Sequence, residues 1–273
     1  IWQVPGLPAR PGRDTDGILA AAAAGELGAL VVGGVDLDDL RDPRAARDGV
    51  RTAPFVVSLE LRSSAVTGHA DVVFPVTAVA GKAGTFADWE NRHRPFEAAV
   101  REPGTQPDHR VLHAIAAELS VDLGLPDPDS ARRELERFGP WSGDRAPWEP
   151  VLPGSAATPG RGQAVLATWR MLLDEGVLQE GESRLAATAR PPVVRLSAAT
   201  AEEIGAAGGD PVTVSTAAGA ITLPLAVTDL PGRVVWLPTH SRGSRVYRTL
   251  GAGAGDVVHI GLSVARALRE RLS

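Results

Sequence analysis

Apolar residues first recur at helical spacing between Thr15 and Leu27, where Ile18, Leu19, Ala22, Ala23 and Leu27 share one face. Asp14, Thr15 and Asp16 supply oxygens that can cap its first turn. The pattern then changes to short apolar runs. Ala29–Val32 stops at Gly33-Gly34, and Pro54–Leu59 and Asp71–Val76 repeat the theme with short connections between them. Buried parallel strands read this way, so three of them in alternation with helices predict a Rossmann-like parallel sheet. Gly33-Gly34 is read as strand termination, because the G-x-G-x-x-G fingerprint for a dinucleotide is absent.

A second helix is expected over Asp108–Leu119, with Val111, Leu112, Ile115, Ala116 and Leu119 on one side. Beyond it, Pro126, Pro128, Pro140, Pro147, Pro150, Pro153 and Pro159 mark a connector, interrupted by a short charged helix near Ala131–Phe138. Gln163–Asp174 fits a further helix carrying Val165, Leu166, Trp169, Leu172 and Leu173. Trp141 and Trp148 within the connector are expected to anchor it on a partner or on the sheet.

From about Pro191 the period becomes that of strands: Val193–Leu196, Val212–Ser215, Ile221–Leu223, Val234–Leu237 and Val257–Ile260, separated by turn signals. This predicts a small barrel. Thr200 and Glu203 have the spacing of a capping box, Gly208-Gly209 reads as the helix stop, and Ala217-Ala218-Gly219 as a three-residue hairpin link with Gly219 left-handed. The expected organisation is an α/β portion over 1–125, a Pro-rich helical connector over 126–190 and a β-barrel over 191–273.

Composition narrows the chemistry. At 273 residues and 44% hydrophobic content the chain can bury a sizeable core. A net charge of −5 provides no basic field for nucleic acid or an anionic membrane, and no apolar run approaches the ~20 residues that span a bilayer. Lys82 is the single lysine among 28 basic residues, the bias expected of a GC-rich genome. Cysteine is absent, so this segment offers no thiolates for an iron-sulfur cluster and no disulfide. A start at Ile1 with no signal-like segment reads as part of something longer.

One motif carries more than the rest. Ala70–Val76 leads to Gly84-Thr85-Phe86-Ala87-Asp88-Trp89-Glu90-Asn91-Arg92, read as a turn that sets polar groups at the mouth of the sheet. This resembles the segment "ADVVLP … E-x-G-T-F-x-N-x-E-G-R" of the molybdopterin oxidoreductase superfamily, which includes the large G-type iron-sulfur subunit of respiratory complex I. The order strand, capped helix, Gly-Asp, strand, hairpin, strand, Pro-Gly, strand likewise resembles the double-psi barrel that binds the molybdopterin dinucleotide. Leu166–Gly176, Gly181–Arg190 and Val235-Trp236-Leu237-Pro238 are similar to the corresponding actinobacterial G-type subunits, and the likeness runs from about Gly12 to Gly261.

The resemblance implies a structural C-terminal region of a subunit of NADH:quinone oxidoreductase, whose holoenzyme passes electrons from NADH through iron-sulfur clusters to quinone. Those clusters would lie in an N-terminal part outside this sequence. Its partners would be other peripheral-arm subunits on the cytoplasmic side of the bacterial membrane, with no nucleic acid and no direct membrane insertion. Molybdopterin is expected to be absent, because Leu196-Ser197-Ala198-Ala199 stands where dinucleotide-binding barrels commonly carry Asn-Pro before the capped helix. The alternatives are a molybdenum oxidoreductase such as formate dehydrogenase, or a cofactor-free protein-binding adaptor.

No catalytic residue and no metal ligand is assigned. His109 and His113 lie i, i+4, but Arg110 replaces the Glu of H-E-x-x-H, and His109 is expected to be an exposed first-turn residue. Asp88 and Glu90 are read as turn caps that pair with Arg92 or Arg94 rather than as a proton-transfer pair. A vestigial anion site is the one candidate for binding: Ser241, Arg242, Ser244, Arg245 and Arg248, with structural pairing to acidic neighbours as the competing account.

Overall fold

The computed structural model describes residues 12–90, 92–101, 103–138 and 158–263. The chain divides into two compact units, Ile1–Val35 with Gly49–Pro150, and Asp36–Asp48 with Val151–Ser273. Asn91, Trp141 and Trp148 lie outside the described residues, so the expected anchoring by the two tryptophans falls there too.

In the first unit, α1 (Thr15–Ala23) starts where Asp14 accepts a hydrogen bond from Gly17 N. β1 (Leu30–Gly33) ends at Gly34, whose φ of +63° takes the chain out of the strand. After α2 (Pro43–Thr52), of which residues 43–48 belong to the second unit, β2 (Val56–Glu60) and β3 (Val72–Pro75) complete a parallel sheet of order β1-β2-β3. The expected Rossmann-like core is present. Asp71 stabilises the sheet locally, its carboxylate accepting from Val56 N at 2.7 Å.

The segment read as a turn at the sheet mouth folds differently. β4 (Gly84–Ala87) pairs antiparallel with β5 (His93–Phe96), so Gly84-Thr85-Phe86-Ala87 is itself a strand of a separate hairpin. Gly84 faces Phe96 in register, and a Cβ there would lie 2.7 Å from Phe96 Cζ. Phe96 in turn stacks on Phe86 at 4.8 Å.

α3 (Asp108–Glu118) follows, then α4 (Pro128–Phe138), which begins three residues before the expected charged helix. Only part of the predicted apolar face of α3 is covered: Val111 is buried and Ile115 packs on the cluster of Leu59 and Val76, whereas Leu112 and Leu119 are exposed. His109 is half-buried rather than exposed.

The second unit is built on a closed six-stranded barrel. Its strands are β6 (Gln163–Trp169), β7 (Val194–Leu196), β8 (Pro211–Ser215), β9 (Ala220–Val227), β10 (Val234–Pro238) and β13 (Val257–Leu262), in the order β10-β6-β13-β8-β9-β7. β6 with β10 and β7 with β9 are the parallel pairs, within the mixed topology of the double-psi type. Between these strands lie α5 (Ser183–Ala186), α6 (Ala198–Glu203), the two-residue strands β11 (His240–Ser241) and β12 (Ser244–Arg245), and α7 (Val246–Leu250). Inward positions supply the core, including Leu166, Leu196, Val212, Val214, Val235, Leu237 and Val258.

Three local expectations change in this unit. The helix expected over Gln163–Asp174 is strand β6: Ala164 and Leu166 alternate inward, and pairing with both β10 and β13 satisfies its backbone. The cap of α6 is Ser197, whose hydroxyl accepts from Thr200 N, while Thr200 and Glu203 instead bind Arg233 through its backbone N and Nε. That helix stops at Gly205, φ +68°, with Ala206 N donating to Ala201 O, so the Gly208-Gly209 pair is not its terminator. Finally, the β8–β9 link runs over four residues, Thr216–Gly219, and Gly219 is not left-handed. It is needed for space, since a Cβ would lie 2.4 Å from the Thr249 carbonyl oxygen.

No helix among the described residues is long and apolar enough to cross a membrane.

Candidate functional site

The expected cationic segment sits at one end of the barrel, just after β10. Arg242 and Gly243 form a two-residue turn between β11 and β12, with Gly243 at φ +78°. Ser244 is fully buried and its hydroxyl donates to Pro238 O at 2.7 Å, so it fixes the turn. Ser241 Oγ is buried with no hydrogen-bond partner among the described residues. Arg242 is exposed.

Arg245 and Arg248 meet carboxylates. Asp38, in the single-turn 3-10 helix Leu37–Asp39, receives Arg248 Nη1 at 2.8 Å and lies 3.6 Å from Arg245 Nη1. Arg47 of α2 reaches the other Asp38 oxygen, and Arg245 also binds Glu175 at 3.2 Å. Asp38 is thus a carboxylate shared by three guanidiniums, and its side chain is only 8% exposed. This is the structural pairing that competes with an anion site.

The neighbouring Asp39 repeats the arrangement with different partners. Its carboxylate contacts His240 Nδ1 on one oxygen and Arg170 Nη2 on the other, while Arg170 also binds Asp174 at 2.6 Å. Burial pushes the Asp39 carboxyl upward, but the hydrogen bond and charge of His240, together with Arg170, outweigh it and hold the group below its ordinary value. Arg170 is held above its ordinary value: burial opposes the charge, and Asp174 and Asp39 overcome it. An ionised carboxylate only accepts, so His240 Nδ1 donates to Asp39. His240 Nε2 is buried and has no partner among the described residues.

The turn that presents these two aspartates is itself fixed. Asp36 Oδ1 accepts from Asp38 N at 2.9 Å, Leu37 is buried, and Arg41 binds Asp256 at 2.8 Å beside the ring of Tyr247. Asp36, Asp39 and His240 place three potential ligand atoms within 4.8 Å of one another. A cation there would compete with the Arg170 guanidinium for Asp39 and with the backbone for Asp36, so the group is described by ion pairing rather than metal ligation.

Elsewhere, Asp88 accepts from Arg92 Nε at 2.7 Å and from the backbone of Glu90 and Arg92, while Glu90 pairs with Arg92. These are the expected turn caps, and Trp89 projects at the hairpin tip, 91% exposed. His109 and His113 both lie on α3.

Sequence reasoning locates Arg245 and Arg248 but not Asp38 and Glu175 as their partners, and it misses the Asp39 junction with His240 and Arg170. The acidic run Asp36-Leu37-Asp38-Asp39 is the available signal, and nothing local ties it to a segment some 200 residues on.

Residues 174–263 match the family described as "Molydopterin dinucleotide binding domain", a span that takes in five barrel strands and leaves out β6. Over 263 residues, 95% of its length, the chain is 54% identical to the G-type subunit of NADH-quinone oxidoreductase from Mycobacterium tuberculosis. It belongs to the family of G-type NADH-quinone oxidoreductase subunits. The corresponding protein of Streptomyces coelicolor is 50% identical over 267 residues, 96% of the chain. The chain spans about a third of these relatives, 33% and 32% of their lengths. Among solved structures, acetylene hydratase from Pelobacter acetylenicus shares the fold, with a TM-score of 0.56 and 14% identity over 83% of this chain and 39% of that one.

Proposed function

We propose that this region of the G-type subunit is a cofactor-free structural body that supports the electron-carrying part of the complex without taking part in electron transfer. The whole complex would pass electrons from NADH through iron-sulfur clusters to quinone, with the clusters held outside this segment. Its partners would be other subunits of the peripheral arm, on the cytoplasmic side of the membrane.

The observation that carries this reading is the engagement of the barrel's cationic end by the chain's own carboxylates. A molybdopterin dinucleotide brings phosphates and a hydrogen-bonding base, and leaving such groups unmatched costs about 1–3 kcal/mol each. Here Asp38 engages Arg47, Arg245 and Arg248, and Asp39 engages Arg170 and His240, so a polyanion would have to displace two carboxylates. At the α6 cap, Ser197 Oγ is committed to Thr200. The donor set does not fit the group. Ser241, Arg242, Ser244, Arg245 and Arg248 are therefore read as a vestigial anion site in which Arg245 and Arg248 tie the Leu37–Asp39 turn to the barrel.

The test is purification of the full-length subunit under native conditions from cells supplied with molybdate. Co-purification of the other peripheral subunits with no stoichiometric molybdenum or tungsten is expected. A stoichiometric metal, or recovery of a soluble formate-oxidising complex, would restore the catalytic reading.

A further inference from the structure

The groups that surround Asp38 and Asp39 come mostly from the barrel, but the two aspartates do not. Arg170 follows β6, His240 lies in β11, Arg245 in β12 and Arg248 in α7. Four separate positions of the barrel thus direct cationic or imidazole groups to one place, and the carboxylates they meet arrive on a turn more than 100 residues earlier in the sequence. Within the barrel's own run, Arg170 has Asp174 and Arg245 has Glu175 as alternative partners. The ion pair that Arg248 makes among the described residues is with Asp38.

Two further polar atoms at this end have no partner. His240 Nε2 and Ser241 Oγ are both buried and unpaired among the described residues, in adjacent positions of the same short strand. Buried polar atoms are normally satisfied, so the unpaired Nε2 of His240, on the ring whose Nδ1 meets Asp39, marks binding capacity that the two carboxylates leave unused. Guanidiniums match carboxylate and phosphate oxygens equally well in geometry.

We propose that Asp38-Asp39 is an internal dicarboxylate ligand of an anion site formed by Arg170, His240, Arg245 and Arg248, and that the barrel relieved of these carboxylates accepts a compact diphosphate in their place. Two adjacent carboxylates, each met by its own pair of barrel groups, present linked negative centres as a diphosphate does. The inference rests on the reading of this region as cofactor-free, since it explains what occupies the cationic end.

The experiment compares the full-length subunit with its Asp38→Asn/Asp39→Asn variant by thermal melting and calorimetric titration, with inorganic pyrophosphate as the probe and sodium chloride of equal ionic strength as the control. The variant should melt lower in chloride alone, regain at least half of that loss in millimolar pyrophosphate, and bind it at least tenfold more tightly than the parent does. Adding Arg248→Gln to the variant should abolish the recovery. Should the double variant fail to fold, Asp38→Asn alone, which keeps the Asp39–His240 contact, serves in the same comparison. Equal effects of pyrophosphate and chloride, or equal binding by parent and variant, would overturn the proposal. Molybdenum in the parent subunit would instead refute the cofactor-free reading, whatever the variant does.

Discussion

Asp39 and His240, 201 residues apart in sequence, meet through the carboxylate and Nδ1, a half-buried acid against a buried imidazole, and fasten the Leu37–Asp39 turn to the end of the barrel. Arg170 closes on the opposite Asp39 oxygen, so a single side chain joins the turn to β11 and to the end of β6. The turn owes its position to side-chain contacts across the fold. Its own backbone fixes only its local shape.

Removing this junction has a defined cost. Asp39→Asn leaves His240 Nδ1 and Arg170 with a neutral partner, and hydrogen bonds to charged groups contribute about 1.5–3 kcal/mol. A loss of that size in unfolding free energy, seen as a lower denaturant midpoint with an unchanged slope, is expected. The pH dependence provides a second check. Because the folded Asp39 carboxyl lies below its ordinary value, its contribution is complete above about pH 4, the unfolded range, and is lost as the pH falls through the folded value. The gap in melting temperature between parent and variant should therefore shrink on acidification from about pH 5 toward about pH 2. A gap that is constant with pH would show that the ionised carboxylate is not the stabilising form.

His109 gives an opposite charge type with the same direction of effect. Burial first, then the positive charge of Arg110, holds its imidazole below the ordinary value. The neutral ring is favoured in the fold, so its contribution is complete above about pH 6.5 and declines as the unfolded chain takes up a proton below that. Chemical denaturation of the parent between about pH 7 and pH 5 should show stability falling with pH. In His109→Gln this component of the slope should vanish. An identical slope in both proteins would count against it.

How much of this is readable in the sequence depends on the range of the contacts. β1, β2 and β3 announce themselves because each is a short apolar run marked by a glycine or proline signal, at the end of β1 and β3 and just before β2, and α3 because its period is unambiguous. β6 does not. Val165, Leu166, Trp169, Leu172 and Leu173 fit a helical period, yet Ala164 and Leu166 also alternate, and the choice is made by β10 and β13 pairing on either side. The cationic cluster at Ser241–Arg248 is visible in one window of sequence, whereas its carboxylates come from a distant acidic turn and only the closed barrel brings them together.

Gly84 tests the hairpin found in place of the expected turn. Its φ is not left-handed, so the requirement is for room: Phe96 covers it, and a Cβ would lie 2.7 Å from the ring. Gly84→Val must push Phe96 off its stack with Phe86, which is 4.8 Å between centroids. Displaced rings of this kind cost about 1–3 kcal/mol. The variant should melt lower and assemble less well, and an unchanged melt would show that the ring moves freely.

Gly219 is the more severe case, because its obstacle is backbone. The Thr216–Gly219 link passes so close to α7 that a Cβ would stand 2.4 Å from the Thr249 carbonyl oxygen, while Thr216 Oγ1 donates to Leu250 O at 2.6 Å and fixes the approach. A flexible side chain can swing away from a new methyl group; a helical carbonyl held between Val246 and Leu250, both fully buried, cannot. Gly219→Ala should therefore cost at least as much as ordinary overpacking, about 1–3 kcal/mol. The same change at Gly208, which has no atom within 4 Å of its ideal Cβ and no positive φ, should be neutral or slightly stabilising through the unfolded chain. Urea unfolding of the two variants side by side reads the difference. Equal midpoints would mean that the hairpin does not press on α7, and the close approach would then have no energetic consequence.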